Sequence, residues 1–489
     1  AIIPFRNKGK EQDAFYAYGI CSDLISDCSS AGLIRVASLE RIEELGDLLI
    51  EEKAKKLDVR YMATGSLWKM NDKFQLAIEL YDTKESKVVW SDGWQENWDN
   101  LTSIQGNLSD GLLKALDAKM KAERKIASTN VVAYEYLLKG KYKWSKRENE
   151  EDTEIARGLL RKAMNLDKNL LDAKVMLGFT YSEASDYDEA MKIFIPALKQ
   201  AEKIGDKPCM GYNLMGMGNV YYKKGEYEKA LDHYNRSLEI LEGFGDKHGM
   251  GYGLNDIGSY YYKKGDYDKT LDYFKKSLKI FEGISDRVGI GFCFVNIGHV
   301  YRGKGDYDKA LDYSIRSQKI FEKLDYRPGL EASLTGIGFV YHDKGELGES
   351  LNHYSRSLQI FKELGDKHGI SSLLGFIGMI HYEKGDYEKS KELEEKCLAI
   401  KKENKEGGII NLWATTYLYL SCKNLGKTYD KQVIYALMKE NENVRASWFQ
   451  LNHLLYQLLE DKFYLETAYN EVQEKANNLE PDVAAKFLS

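Results

Sequence analysis

The chain has 489 residues, with 70 Lys and Arg against 76 Asp and Glu and a formal net charge of −6. That mixed balance, without a basic stripe, argues against nucleic-acid binding, and no run of about 18 apolar residues is present to span a membrane. Hydrophobic residues at 43% suffice for real cores, charged residues at 30% suit exposed helices, and the length predicts two or three domains.

In chain order, Ala1–Phe5 predicts a buried strand and Asp13–Ser30 a helix, with Phe15, Ile20, Leu24 and Ile25 inward. Leu33–Ala37 predicts a second strand and Leu39–Lys56 a second helix. Three strands follow at Val59–Lys69, Lys73–Tyr81 and Lys87–Asn97, joined by turns at Asn71-Asp72 and Lys84–Lys87. From Phe74 to Leu80 apolar residues alternate with polar or small ones, as in a half-buried strand. A third helix over Asn100–Met120 closes an α/β domain at 1–120, of order β-α-β-α-β-β-β-α.

Divergent helical repeats at 127–204 join the domains. Tyr134–Trp144 pairs with Thr153–Leu166, and Leu171–Tyr181 with Tyr187–Glu202, where Pro196 should kink the helix or weaken one turn. A regular array with a 40-residue period follows at 205–404. Glycine recurs at 178, 218, 258, 298, 338 and 378, a loop glycine at 225, 265, 305, 345 and 385, and isoleucine at 240, 280, 320, 360 and 400. A fixed period of this size predicts a solenoid. Each copy carries two amphipathic segments, such as Met210–Lys224 and Tyr227–Leu241, around a Lys-Gly-Glu/Asp-Tyr turn. Gly218, Ala230 and Ser237 are small enough to let the paired helices approach closely. Residues 405–489 hold a degenerate repeat, Ile409–Leu425 and Thr428–Glu440, and a C-terminal helical cap, Ser447–Leu459 and Lys462–Leu479; Pro481 starts one more short helix.

The repeat resembles the tetratricopeptide motif at its Gly, Tyr, Gly, Tyr, Ala and Tyr/Phe positions. The common motif has about 34 residues and closes on proline. Here Gly-Asp-Lys-x-Gly stands instead, as at Gly245–Gly249 and Gly365–Gly369, and the extra residues are expected to lengthen the second helix and its loop. The pattern is similar to the long-repeat branch that includes kinesin light chain. The fold class is thus an α/β domain followed by an all-α tetratricopeptide superhelix.

A second resemblance covers nearly all of residues 1–118. Ile2-Ile3-Pro4-Phe5, Tyr18 to Ile25, Val59 to Leu67 and Val89-Trp90-Ser91 resemble the bacterial TolB-like, flagellar-protein-O-like domain. That resemblance implies a place between a signalling enzyme, commonly a class III adenylate or guanylate cyclase, and a tetratricopeptide tail. The opening on Ala-Ile-Ile-Pro-Phe suggests an excerpt of a longer protein with such an enzyme upstream.

Catalytic chemistry finds no foothold in the sequence. Ser421 to Thr428 nearly forms a phosphate loop but lacks the first glycine and a preceding strand. The glycines of Gly249 to Gly253 and of Gly289 to Gly291 recur with the repeat and join helix to helix, so capping and close packing explain them. His248 and His368 repeat one loop position and cannot share a metal, and the 6 cysteines show no CxxC or ligand spacing. No metal and no cofactor are expected.

Function is instead expected on the concave surface. Positions that line it in tetratricopeptide proteins correspond here to Tyr212, Met215, Asn219 and Tyr222, then Tyr252, Asn255, Asp256, Ser259 and Tyr262. Phe292, Asn296, His299 and Arg302 come next, followed by Thr335, Phe339 and His342, then Phe376, Met379 and Tyr382. Aromatic rings among amide, hydroxyl and imidazole groups suit an extended peptide. Of the asparagine ladder usual in long-repeat adaptors, only Asn219, Asn255 and Asn296 remain, at inconsistent positions. The expected partner is a protein or peptide, with an upstream catalytic domain of the same chain and a homo-oligomer as further possibilities. A small-ligand sensor in the α/β domain and a structural self-association scaffold are the alternatives. Scattered cysteines, read as buried thiols, point to the cytoplasm; the TolB likeness leaves the periplasm as the alternative.

Overall fold

A computed structural model describes residues 2–477 apart from 4, 11–12, 31–47, 58, 71–72, 98–100, 117–129, 148, 285, 404–408 and 442–448. It divides into two compact units, Ala1–Asn296 with Lys323–Asp325, and Ile297–Glu322 with Tyr326–Ser489. The strand expected at Leu33–Ala37, the start of the second helix, the Asn71-Asp72 turn and the helix after Pro481 lie outside the described residues.

Among the described residues, the first unit begins with a four-stranded sheet of order β1-β2-β3-β4. β1 (Arg6–Asn7) runs parallel to β2 (Tyr61–Met70), while β3 (Lys73–Asp82) and β4 (Lys87–Asn97) continue antiparallel. On β3 the alternation is complete: Phe74, Leu76, Ile78 and Leu80 are buried, and Lys73, Gln75, Ala77 and Glu79 are exposed. The buried face meets α1 (Ala14–Ser30) and α3 (Leu101–Ala115) in one core with Phe15, Ile20, Leu24, Leu108 and Leu112. α2 (Ile50–Leu57) packs Ala54 and Leu57 against Met62.

Residues of the N-terminal motifs lie against close-packed glycines. A Cβ on Gly65 would lie 2.7 Å from the Phe5 ring and 2.6 Å from the Ala77 carbonyl. One on Gly111 would lie 2.8 Å from the Trp90 ring. These positions hold the sheet and its helices together, so their spacing reports packing.

Paired helices follow: α4 (Val131–Ser145) and α5 (Glu150–Leu166), α6 (Leu171–Glu183) and α7 (Tyr187–Ile204), α8 (Lys207–Lys223) and α9 (Tyr227–Phe244), α10 (Lys247–Lys263) and α11 (Tyr267–Ile284). α7 continues through Pro196. α12 (Arg287–Gly303) carries residues of both units. In the second unit lie α13 (Tyr307–Leu324, to Glu322), α14 (Arg327–Asp343), α15 (Leu347–Leu364), α16 (Lys367–Glu383) and α17 (Tyr387–Glu403). α18 (Ile409–Asn424), α19 (Lys431–Glu440), α20 (Phe449–Leu459) and α21 (Lys462–Asn477) end it around Leu412, Ile434, Leu451 and Leu455.

The additional residues of the long repeat go into helix, and the loop stays minimal. Gly245 ends α9 with φ 87°, a left-handed cap that glycine takes without a Cβ penalty. Asp246 then caps α10, its carboxylate accepting the Gly249 N–H at 2.9 Å. Asp206, Asp286 and Asp366 do the same for Cys209, Gly289 and Gly369. His248 and His368 therefore sit in the first turns of helices, not in loops.

Within a pair the helices cross over the recurrent glycine. A Cβ on Gly218 would lie 2.6 Å from Tyr234, and one on Gly258 2.5 Å from Phe274; in the second unit, one on Gly338 would lie 2.5 Å from Tyr354. Ser237 and Ser277 fasten the crossing by donating to the Gly211 and Gly251 carbonyls at 2.8 and 2.7 Å. Two copies in the second unit depart: Ser314 faces Gly298, and Glu394 faces Gly378.

Candidate interaction surface

The first helices of the pairs carry the expected concave residues. In the first unit, Tyr212, Asn219, Tyr222, Tyr252, Asn255, Asp256, Tyr262, Phe292 and Asn296 are all half-buried, whereas Met215 is buried. Their spacing brings neighbours into register. The Tyr234 hydroxyl donates to Asn219 Oδ1 at 2.8 Å, Asn296 Nδ2 to Asn255 Oδ1 at 3.1 Å, and the Tyr222 hydroxyl to the Ser259 carbonyl at 3.3 Å. Tyr212 is drawn aside, its hydroxyl donating to Asp246 at 2.8 Å. Tyr252 packs edge-on to Phe281 with centroids 4.9 Å apart. Tyr222 and Tyr262 lean on Tyr227 and Tyr267, the rings that open the following helices. Burial raises the Tyr222 hydroxyl well above its ordinary value. Although part of its surface stays accessible, burial also pushes the Asp256 carboxyl up to about 8.

Tyr221 is half-buried; it packs against His233 at 5.0 Å with the Lys229 ammonium 5.5 Å from its ring. The second unit places His299, Arg302, Phe339, His342 and Tyr382 on its first helices, all half-buried. Arg302 grips the Asp343 carboxylate at 2.6 and 3.1 Å, and its guanidinium carbon lies 4.5 Å from the Phe339 ring centre. His342 contacts Glu383 at 3.0 Å and approaches Asp343 at 3.7 Å. Burial pulls the His342 imidazolium down, but the two carboxylates outweigh it and push it up to about 9. Phe339 stacks edge-on with Phe376 at 4.8 Å, and Tyr382 with Tyr417 at 5.5 Å. Arg302 and His342 thus bind neighbouring first helices together; the sequence signal was an acid 41 residues further on in each case.

Sequence reasoning missed one contact between the α/β domain and the helical array. α1 packs on α4 at the positions corresponding to the concave ones. A Cβ on Gly19 would lie 2.6 Å from Leu138, the Tyr18 and Tyr142 rings meet at 5.5 Å, and Asp23 accepts from the Tyr134 hydroxyl and pairs with Lys141 at 3.3 Å. α1 also runs against α10. It is buried on two sides, by the sheet and by the repeats, which is why its apolar residues form no single stripe.

Among the described residues, no group of three or more His, Cys, Asp or Glu is placed to hold a metal ion, and no helix is long and apolar enough to cross a membrane. The six cysteines are buried thiols outside any disulfide.

The tetratricopeptide repeat family model matches residues 169–243, 250–323 and 329–403. The chain therefore carries a tetratricopeptide-type helical array after an N-terminal domain. Over 185 residues it is 23% identical to putative adenylate cyclase 3 of Rhizobium meliloti (strain 1021), a match covering 36% of this chain; the chain spans 31% of that relative's length. Among solved structures, a Rap protein complexed with competence and sporulation factor is similar at 15% identity over 73% of this chain and 98% of that one, with a TM-score of 0.49. A STAND protein with a tetratricopeptide repeat sensor from Pyrococcus horikoshii is similar at 14% identity over 92% and 67% of the two chains, with a TM-score of 0.45.

Proposed function

We propose that this chain is a non-catalytic protein-interaction and regulatory region. In this reading the helical array takes a partner protein or peptide on its concave side, and the α/β domain reports occupancy to a signalling enzyme of the cyclase kind. The observation that carries it is the seating of α1 on α4 through Gly19, Asp23, Tyr134, Leu138 and Lys141, which ties the α/β domain to the surface a partner would use. The resemblance of residues 1–118 to the TolB-like domain and the match to a putative cyclase agree on the kind of enzyme. A cytoplasmic setting suits the buried free thiols.

The test is selection of displayed random peptides on the whole chain, followed by hydrogen exchange with the best binder. Protection should appear on α8 and α10 or on α14 and α16, with altered exchange in α1 and α4. Protection confined to the sheet or to the second helices of the pairs would overturn the concave-surface reading. Concave protection with unchanged α1 and α4 would overturn the relay.

A further inference from the structure

Asp256 sits on α10 at the concave surface and stands apart from the other acids there. Asp246, Asp286 and Asp366 are helix caps, Asp343 is held by Arg302, and Glu383 is paired with His342. Among the described residues no hydrogen bond and no cation meets the Asp256 carboxylate, although it is half-buried. Its charge is felt at the hydroxyls of Tyr222 and Tyr234. The paired amides of Asn255 and Asn296 lie on the same surface, and Tyr262 lies on its own helix. A carboxylate removed from water without a counter-charge is costly, and a cation supplied from outside removes that cost. Tyrosine rings alongside also favour an incoming cation through their faces. Gly216 and Gly336 occupy the equivalent positions of other copies, so the repeat does not require an acid here.

We infer that Asp256 anchors a basic side chain, Lys or Arg, from an extended segment of the partner protein that occupies the concave surface of the first unit. The inference rests on the concave-surface reading and names the chemistry of its occupant. Asn255 and Asn296 would meet the segment's main chain, and Tyr222 and Tyr262 its side chains. Because α1 runs against α10, an occupant held by Asp256 lands on a helix that the α/β domain touches.

The test uses the whole chain and three fluorescein-labelled dodecapeptide pools. All are degenerate over neutral residues except for a central arginine, citrulline or glutamate. Anisotropy should show the arginine pool binding at least about tenfold more tightly than the citrulline pool, the range of one charge-assisted hydrogen bond. Asp256→Asn should abolish that preference while Asp256→Glu keeps it, and calorimetry in two buffers should show proton release on binding to the unsubstituted chain but not to Asp256→Asn. Equal binding of the arginine and citrulline pools, or a preference that survives Asp256→Asn, overturns the inference. In that case loss of all binding in Tyr222→Ala/Tyr262→Ala would leave the concave-surface reading standing. Failure of every pool to bind the unsubstituted chain removes both.

Discussion

Gly338→Ala tests the packing rule on which the array depends. The added Cβ would lie 2.5 Å from Tyr354 Cε1 and 2.6 Å from Cδ1. The ring cannot simply swing away, because it is fully buried between Phe339 and Phe376, at 5.6 and 5.8 Å. A comfortable carbon–carbon contact is about 3.5–4.0 Å, so either the ring or the whole helix must shift by about 1 Å. Overpacking of this kind costs about 1–3 kcal/mol, against about 1 kcal/mol gained from alanine's helix propensity. The net expectation is a loss of up to about 2 kcal/mol. Gly243→Ala and Gly283→Ala are the controls: both glycines lie within second helices with nothing within 4 Å of a Cβ. Each should stabilise by about 0.5–1 kcal/mol. Tyr354→Ala should relieve the clash, giving a double-mutant coupling of at least about 1 kcal/mol in favour of the double variant. Urea titration followed by circular dichroism measures the five variants against the unsubstituted chain. If Gly338→Ala stabilises as the controls do, the helices do not cross at the recurrent glycine as described.

His342 is expected to make stability pH-dependent: its folded value lies near 9, above about 6.5 when unfolded, so its contribution is full below about 6.5 and lost as pH rises through about 9. The ceiling is about 3 kcal/mol before solvent screening, and His342→Gln should flatten thermal midpoints measured from pH 6 to 10. Glu394 has the opposite origin, since burial, with no hydrogen-bond partner for either carboxylate oxygen among the described residues, raises its carboxyl well above the usual range. Its folded form favours the proton, so stability falls as pH rises above about 4.3; Glu394→Tyr, restoring the ring found at Tyr234 and Tyr354, should raise the melting temperature at pH 7.5, and a lower value would contradict this account. Tyr134→Phe removes the hydrogen bond to the buried Asp23 and should cost about 1.5–3 kcal/mol, with faster hydrogen exchange in α1 as its local signature.

Much of the array was legible because period and residue size act on the same scale. Small residues at Gly218, Ala230 and Ser237 announced a close crossing, and the structure places rings and a serine hydroxyl over it. The minimal loop was harder to read. Gly-Asp-Lys-x-Gly looks like extra loop until the aspartate is seen to cap the next helix, which converts loop composition into helix length. On the first helices the residue types were legible but their employment was not: Arg302 and His342 meet carboxylates on the neighbouring first helix, a contact set by how pairs stack. Nor could the seating of α1 be read from its own residues, since a helix covered on two sides shows no single apolar stripe.

The Gly–Asp junction between copies leaves the chain no slack. With one residue closing a helix and the next opening another, inserting or deleting a single amino acid there would rotate the following helix by about 100° and turn its buried side outward. Length can change safely only in whole copies cut at that junction. The same joint makes the array a modular part for engineering: a 40-residue cassette from Lys247 to Asp286 could be duplicated in frame to lengthen the concave surface by one step.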